Sequence, residues 1–369
     1  MTAVERLEKE FTQWLGAPGA VATGFGRGAL WLALEAANAR GGDVLVPVFI
    51  CRQVVAAVVR AGAHPVFYRV KRDLTVSPED LTAVWTKNTR AAVLPHYFGR
   101  AMPTIRELVN ACRIRGAAAI EDCALAMGAS LDGELSGRFG DFAVFSFTKS
   151  DWCFGGGLVT TDDVRHLAEL RRLQSEKMKP ARGLCFFYGL LKWVDYAANR
   201  PRWCRAAARL GRLLQALSFI REDNFYDAGR FDVAMPNWAA RRALRILRSL
   251  RATLARRRRA YARIREVAGR KAPRPAGDSG SPGATRAFMV FDAGPHAEQA
   301  IARADESNVT LRPCWSGFAQ QDTPQTAGDD FLAGLLSLEI TPELREDELL
   351  RIGVCLSKCL PPAVAEWQL

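Results

Sequence analysis

The chain has 369 residues, of which 49% are apolar and 24% charged, with a formal net charge of +12. This composition excludes a disordered or fibrous protein, and the length exceeds what one hydrophobic core usually fills, so two linked domains are predicted. The longest apolar runs fall well short of the roughly 18–20 residues of a membrane span. The N-terminus, MTAVERLEKEFTQWL, lacks the pattern of a signal peptide, which predicts a cytoplasmic protein.

From residue 24 to residue 163, short apolar runs alternate with amphipathic stretches. This order predicts an α/β fold with a mostly parallel central sheet flanked by helices on both faces, in a large domain over residues 1–235. The predicted strands cover residues 44–50, 64–70, 91–97, 117–122, 142–147 and 157–161. Helical spacing marks the segments ALWLALEAANA, RQVVAAVVRAGA, IRELVNACRIRG and DVRHLAELRRLQ.

The second half of the chain is more basic. Ten Lys or Arg stand against two acidic residues between Gln174 and Arg221, which indicates an inserted basic, aromatic helical segment at about 174–225. A long helix is predicted over 238–259, where nine Arg occur without an acid, and a Pro/Gly/Ser-rich link over 273–282. A smaller C-terminal α/β domain should occupy 236–369. Its predicted elements are strands at 287–293 and 335–341 and a closing helix at 343–360.

The nine cysteines are scattered singly, without a CxxC pair or a histidine cluster at metal-ligand spacing. We interpret them as reduced thiols that mostly fill the core, and we predict no metal site.

Chemistry-bearing residues follow the ends of predicted strands. The strand at 117–122 ends in Asp122, where α/β folds place groups that contact ligands. The strand at 142–147 leads to Ser146 and Lys149, and we expect burial at the end of an apolar strand to lower the pKa of this lysine and to leave an amine able to condense with an aldehyde. Upstream, the turn GFGRGAL opens a helix, which is typical of a phosphate site.

Each of these signals also has an ordinary structural interpretation. A strand-end Asp can be a cap, a Gly-rich turn can be only a turn, and a strand-end Lys can extend its amine to solvent. Their order is more specific than any one of them. A phosphate turn, an acid for a ring nitrogen and a Ser-and-Lys strand end are together what a pyridoxal 5′-phosphate (PLP) site requires.

Long segments of the chain resemble the DegT/DnrJ/EryC1/StrS family of sugar aminotransferases, which are fold-type-I PLP enzymes. The resemblance lies in GFGRGALWLALEA, in GGDVLVPVFICRQVVAAVVRAGAHPVFYRV, in the run from RAAVLPHYFGR to FAVFSFTKS, and in LLSLEITPELREDELLRIG. It implies that Asp122 pairs with the pyridine nitrogen and that Lys149 forms the Schiff base. It further implies that Ser146 and the amides of Gly26 and Arg27 bind the phosphate.

The resemblance also covers positions where this chain differs from the family. Leu125 stands where the family usually has Gln near the cofactor ring, and Cys51 stands where many members have a ring-stacking aromatic residue. Arg69 replaces a common acid, and His96 matches a family position whose role the sequence does not define. Asn237 lies in a region that reaches the partner's site in the family, so a homodimer and a cofactor contact by Asn237 are expected.

Three functions remain open. Because the Schiff-base position is Lys rather than the His of related sugar dehydratases, transamination is favoured, from an amino acid such as glutamate to a nucleotide-linked keto sugar in glycan or natural-product biosynthesis. The second function is transamination of another acceptor, an aminocyclitol or a lipid-linked intermediate. The third is a non-catalytic scaffold of the same fold, which the unusual Leu125 and Cys51 motivate.

The positive charge permits nucleic acid, anionic membrane or acidic small molecules as partners. Arginines of the long helix are interleaved with Leu and Ile at core spacing, and no nucleic-acid module accompanies them, so we predict no nucleic acid. The aromatic, basic segment from Gly183 to Ile220 has two interpretations. It forms a lid on the large domain, or it attaches the protein peripherally to an anionic membrane at the inner membrane face.

Overall fold

The computed structural model describes residues 1–151, 153–180, 183–190, 230–269, 275, 283–314 and 334–360. The helices are α1 (Ala3–Leu15), α2 (Gly26–Ala36), α3 (Arg52–Arg60), α4 (Pro78–Thr82), α5 (Ile105–Ile114), α6 (Val164–Lys177), α7 (Asn237–Ala268), α8 (Ala297–Glu306) and α9 (Glu346–Cys359). The longer strands are β1 (Gly19–Thr23), β2 (Asp43–Pro47), β3 (His64–Tyr68), β4 (Thr89–Pro95), β5 (Ala118–Asp122), β8 (Phe142–Ser146), β9 (Gly157–Thr161), β12 (Phe288–Asp292) and β14 (Leu335–Glu339). The two-residue strands are β6 (Ser130–Leu131), β7 (Glu134–Leu135), β10 (Lys179–Pro180), β11 (Val233–Ala234) and β13 (Arg312–Pro313).

A seven-stranded sheet forms the centre of the molecule, in the order β1-β9-β8-β5-β4-β2-β3. Neighbours from β3 to β8 pair in parallel, whereas β9 is antiparallel to both β8 and β1. The prediction of a mostly parallel central sheet is therefore confirmed. The sequence does not predict β1, because its residues GAVAT include few with a strong strand preference and only burial on both sides makes them a strand.

Helices cover both faces of this sheet, as predicted. On β8, Phe142 and Val144 pack with α2, α3 and α6, whereas Ala143 and Phe145 pack with α1 and α7. The alternation follows from the strand period of two. A third cluster places α5 against the second face of β2 and β4. All five residues of β8 are buried, so its carboxyl end leaves the core at a fixed place.

The long helix α7 joins two packed regions. Its first half, including Ala240 and Leu247, packs with α1 and the central sheet, and its second half, including Tyr261 and Ile264, packs with α9 and the three-stranded sheet β12-β14-β13. The helix extends beyond the predicted 238–259 at both ends. Most of the predicted link at 273–282 and most of the predicted insertion lie outside the described residues, and the domain boundary at 235/236 stays a prediction.

A buried carboxylate fixes the end of β5. Glu121 is fully buried, and its Oε1 accepts hydrogen bonds from the N–H groups of Phe139 (2.8 Å) and Gly140 (2.7 Å). Its Oε2 accepts one from Gly137 N–H (2.8 Å) and lies 2.8 Å from Nε2 of His96. Four donors from two chain segments therefore meet on one carboxylate, which compensates much of the cost of burying its charge.

His96 links this carboxylate to the next strand. The N–H of Met102 donates to Nδ1 of His96 at 2.9 Å, so Nε2 carries the ring hydrogen and donates to Glu121. The backbone N–H of His96 donates to the carbonyl of Asp122 at 3.1 Å. Although His96, Glu121 and Cys123 are close enough to suggest a metal site, their hydrogen bonds occupy the first two and burial raises the pKa of the Cys123 thiol well above its usual range. His96 thus has a structural role at the edge where Asp122 lies.

Among the described residues, no helix is both long enough and apolar enough to cross a membrane.

The Glu121 network predicts a measurable stability difference. Glu121→Gln should lower the free energy of unfolding by about 2–6 kcal/mol, because the amide NH2 would face two buried N–H donors, each costing about 1–3 kcal/mol when left without an acceptor. Urea unfolding of the cofactor-free protein measures this. Glu134→Gln is the matched control, because Glu134 pairs with Arg106 where both side chains are 40% or more exposed, and it should change stability by less than about 1 kcal/mol. Equal losses in both variants would contradict the network.

Candidate active site

Strand register brings the predicted site residues to one edge of the sheet. Asp122 pairs with Val144 across β5 and β8, so Ser146 follows two residues beyond that pair on the neighbouring strand. Ser146 in turn pairs with Gly157 at the start of β9, and Gly157 pairs with Thr23 at the end of β1. The Gly-rich turn after β1 therefore meets the end of β8.

Glycines make this meeting possible. A Cβ on Gly26 would lie 3.2 Å from the Cβ of Ser146, and a Cβ on Gly157 would lie 2.7 Å from the backbone N of Gly26. Gly156 has φ of +120° and donates its N–H to the carbonyl of Gly24 at 2.6 Å. Side chains at these positions would separate the two turns, so the sequence uses glycine where the backbones approach.

The result is a small cradle of backbone and hydroxyl groups. Helix α2 begins at Gly26, and the first turn of a helix presents N–H donors and the positive end of its dipole. The hydroxyl of Ser146 lies 3.0 Å from that of Thr148, which the sequence analysis did not single out although it stands two residues beyond Ser146. The guanidinium of Arg27 stacks 4.6 Å from the ring of Phe25, so its predicted phosphate contact is left to its backbone amide.

Asp122 lies beside the cradle with a carboxyl group whose ionised form is disfavoured. Burial raises its pKa above the ordinary value, opposed by the Ala124 N–H, which donates to Oδ1 at 3.0 Å, and by the positive charge of Lys149. Lys149 therefore lies near enough to Asp122 for its charge to stabilise the ionised carboxylate. A cationic group placed against this carboxyl would restore its charged form.

Lys149 is exposed, so the expectation that burial would lower its pKa is wrong in its premise. The strand ends at Ser146, and residues Phe147–Lys149 form one 3₁₀ turn that carries the lysine beyond the buried edge of the sheet. Phe147 is buried and anchors the turn. The amine is therefore accessible to a ligand without unfolding of the core.

Leu125 and Cys51 both lie at the same edge of the sheet. Leu125 is partly exposed in the turn that follows Asp122, and its carbonyl lies 3.3 Å from where a Cβ on Gly99 would be. Cys51 is half-buried and precedes the first residue of α3, four residues after the end of β2. Their contacts with a cofactor stay predictions.

Asn237 is used within this chain. Its Oδ1 accepts hydrogen bonds from the N–H groups of Ala3 (3.0 Å) and Val4 (3.3 Å), so it satisfies donors at the N-terminus of α1. The resemblance to the family at this segment did not predict these hydrogen bonds within the chain. The contact between Asn237 and the partner's site stays a prediction.

The residues present fit PLP. Glycine backbones and the hydroxyls of Ser146 and Thr148 form a cradle of the kind a phosphate group requires, the raised pKa of Asp122 favours a cationic partner, and Lys149 offers an accessible amine. Together these three features match the phosphate, the ring nitrogen and the aldehyde of the cofactor.

Comparisons with known proteins agree with this arrangement. The chain is 32% identical over 212 residues to GDP-perosamine synthase of Vibrio cholerae, which covers 56% of this chain and 55% of the relative. It is 37% identical over 179 residues to dTDP-3-amino-3,4,6-trideoxy-alpha-D-glucose transaminase of Micromonospora megalomicea, 47% of each chain. The matched part thus spans about half the length of these curated relatives.

The fold has solved neighbours over nearly the whole chain. Helicobacter pylori PseC, an aminotransferase involved in the biosynthesis of pseudoaminic acid, superposes with a TM-score of 0.75 at 14% identity and covers 98% of this chain and 91% of its own. The sequence model of the DegT/DnrJ/EryC1/StrS aminotransferase family matches residues 2–189, which include Asp122, Ser146 and Lys149. The resemblance drawn from the sequence motifs is confirmed, and the chain belongs to the DegT/DnrJ/EryC1/StrS aminotransferase family.

Proposed function

We propose that this protein is a PLP-dependent aminotransferase that moves an amino group from an amino acid, glutamate being the first candidate, to a nucleotide-linked keto sugar. One observation carries the proposal: the Gly26–Ser146 cradle, the Asp122 carboxyl and the Lys149 amine lie at one edge of the central sheet. The names of the relatives, one a GDP-perosamine synthase and one a dTDP-aminosugar transaminase, support a nucleotide sugar as the acceptor.

Each residue has a defined task in this proposal. PLP, when bound, supplies an electron sink for charge that develops at the α-carbon of the donor. The amides at the start of α2 and the Ser146 hydroxyl bind the phosphate, and Asp122 accepts a hydrogen bond from the protonated ring nitrogen. Lys149 would hold the cofactor, and its Nζ, once free of it, would take the proton from the donor α-carbon and deliver it to the cofactor carbon that receives the amino group. Because Lys149 is exposed, its side chain is accessible for both tasks.

The amino donor and the acceptor class can be separated by experiment. Mixing the loaded protein with single amino acids and following conversion of the cofactor to its amine form identifies the donor. Supplying nucleotide-linked keto sugars, keto cyclitols or lipid-linked keto sugars to the amine form then identifies the acceptor. A protein that takes up no PLP would favour the scaffold of the same fold over either enzyme.

We also infer a homodimer, since the family builds each site at a subunit boundary and Asn237 lies in the corresponding region. Sedimentation at micromolar concentration tests it, and a monomer that still transaminates would contradict it.

A membrane contact is a second proposal, favoured by one surface. In the helical residues 183–190, Phe186, Phe187 and Leu190 are 58%, 42% and 43% exposed, which is unusual for three large apolar side chains so close together. The basic composition of the segment that follows supports attraction to anionic lipid. We propose peripheral attachment at an anionic membrane through this surface.

Lys149→Ala tests the central assignment. The variant should stay folded, because the side chain is exposed and such changes usually alter stability by less than about 0.5 kcal/mol. It should lose turnover and the cofactor that borohydride fixes covalently. Lys358→Ala, which removes another exposed lysine, is the control and should retain both. A folded Lys149→Ala protein with wild-type transamination would refute the assignment.

Asp122→Asn should separate cofactor binding from folding. The pKa of Asp122 is raised in the folded chain, so its contribution to stability is present at low pH and is lost as pH rises above the ordinary carboxyl pKa of about 4. Asn does not titrate. The stability of the cofactor-free variant relative to wild type should therefore rise as pH increases above about 4, as read from melting temperatures.

With PLP, the same variant should melt at a lower temperature than loaded wild type, and its half-reaction should slow on the order of 10²-fold or more, because the ring nitrogen loses its charged partner. A simple buried ion pair between Asp122 and Lys149 would behave differently. It predicts that both single variants lose about 3–5 kcal/mol without cofactor, and that result would overturn the assignment of Asp122.

The membrane proposal predicts selective binding to vesicles. The protein should sediment with vesicles that contain phosphatidylglycerol and not with pure phosphatidylcholine, and Phe186→Ser should reduce the bound fraction. Val354→Ser, at a residue 44% exposed on α9, is the matched control and should leave binding unchanged. Equal recovery with both lipids, or no recovery, would exclude the proposal.

A further inference from the structure

Arg257 of α7 is a buried arginine that touches the turn bearing Lys149. It is 4% exposed, its Nη2 donates to the carbonyl of Ser150 at 2.7 Å and its Nε donates to the carbonyl of Ile340 at 3.0 Å. Ser150 directly follows Lys149, and Ile340 directly follows β14. One guanidinium therefore bridges the Lys149 turn and the three-stranded sheet.

The carbonyl that Arg257 binds belongs to a tightly closed turn. The N–H groups of Ser150 and Asp151 both donate to the carbonyl of Phe147, at 3.1 and 3.3 Å. Ile340 is likewise fixed, because its N–H donates to the carbonyl of Ala287 at 2.7 Å. Both ends of the Arg257 bridge are thus parts of ordered backbone rather than mobile side chains.

A second arginine of the same helix holds the other side of this turn. Arg242 lies 3.0 Å from Oδ2 of Asp151, and both side chains are 27% exposed. Residues 242 and 257 are about 22 Å apart along the helix axis, at about 1.5 Å per residue. The turn therefore lies alongside the middle of α7, and the two side chains reach it from opposite directions.

We propose that Arg257 is a positioning residue for Lys149, which fixes the turn so that the amine is kept where proton transfer requires it. The inference rests on the proposed function. Lys149 is exposed and belongs to this turn, so the position of the turn sets the place from which its side chain extends. A displacement of about 1 Å at a reacting group can cost on the order of 10²-fold in rate. Arg suits this role better than Lys, since its planar fork can bind two carbonyls at once.

The first measurement needs no cofactor. In Arg257→Met, hydrogen exchange at the amides of Ser150 and Asp151 should become faster, while exchange in β5 and β8 stays at the wild-type level. Arg245→Met, which removes an exposed arginine from the same helix, is the matched control and should leave these amides unchanged. Unchanged exchange in Arg257→Met would overturn the proposal.

The second measurement is a double-mutant cycle on the first half-reaction. In the protein that keeps Lys149, Arg257→Met should slow the half-reaction about 10- to 100-fold. In the Lys149→Ala background, with added ethylamine as the proton carrier, the same change should slow it less than about twofold, because Arg257 acts only through the position of Lys149. A purely structural role would give equal losses in both backgrounds and would overturn the proposal.

Arg257→Lys keeps the charge but offers one point of contact, so it should give an intermediate rate and intermediate exchange. If Arg257→Met does not fold, Arg257→Lys tests the proposal in its place. Wild-type exchange and a wild-type rate in Arg257→Lys would then refute the proposal. If the wild-type protein takes up no PLP, the proposed function fails, and the exchange data still report whether Arg257 fixes the turn.

Discussion

The candidate site depends on the hydrogen bonds of one buried carboxylate, that of Glu121. Glu121 is fully buried at the end of β5, and N–H groups from residues 137–140 together with the His96 ring converge on it. Because successive strand residues point to opposite faces, fixing Glu121 also fixes the direction of Asp122. Two adjacent acids thus have different tasks: one holds the strand end, and the other is left with a raised pKa that favours a cationic ligand.

The second constraint on the candidate site is the close approach between the turn after β1 and the turn at the end of β8. The turn after β1 and the end of β8 are joined through β9, and the register of β9 with both neighbours places Gly26 against Ser146. No side-chain interaction is needed for this. A cradle built from backbone amides keeps its shape because the sheet determines it, which suits the glycines and hydroxyls that we propose as the phosphate-binding groups.

The sequence predicted the strands of the central sheet within a few residues, because apolar runs of strand length and amphipathic helices alternate there without ambiguity. It did not predict β1, whose small residues carry no periodic signal, and it predicted a buried Lys149 because a strand-end position does not reveal the turn that follows. The local bond of Asn237 and the burial of Arg257 were equally hidden. Of the four consecutive arginines at 256–259, only Arg257 is buried. The packing of α7 against its neighbours decides which side chain turns inward, and a sequence alone does not show those long-range contacts.

The orientation of α7, which decides which arginines turn inward, also changes how the charge of this helix should be interpreted. Its composition suggests a cationic surface, yet Arg242, Arg248 and Arg263 form ion pairs with Asp151, Glu10 and Glu346. Arg257 and Arg258 donate to backbone carbonyls instead. At least five of the eleven arginines of α7 therefore already bind groups of this chain, which lowers the charge that the helix offers to a polyanion. Guanidinium groups suit this use because one side chain can satisfy several carbonyl acceptors while remaining charged, which allows a helix between two packed regions to attach to both.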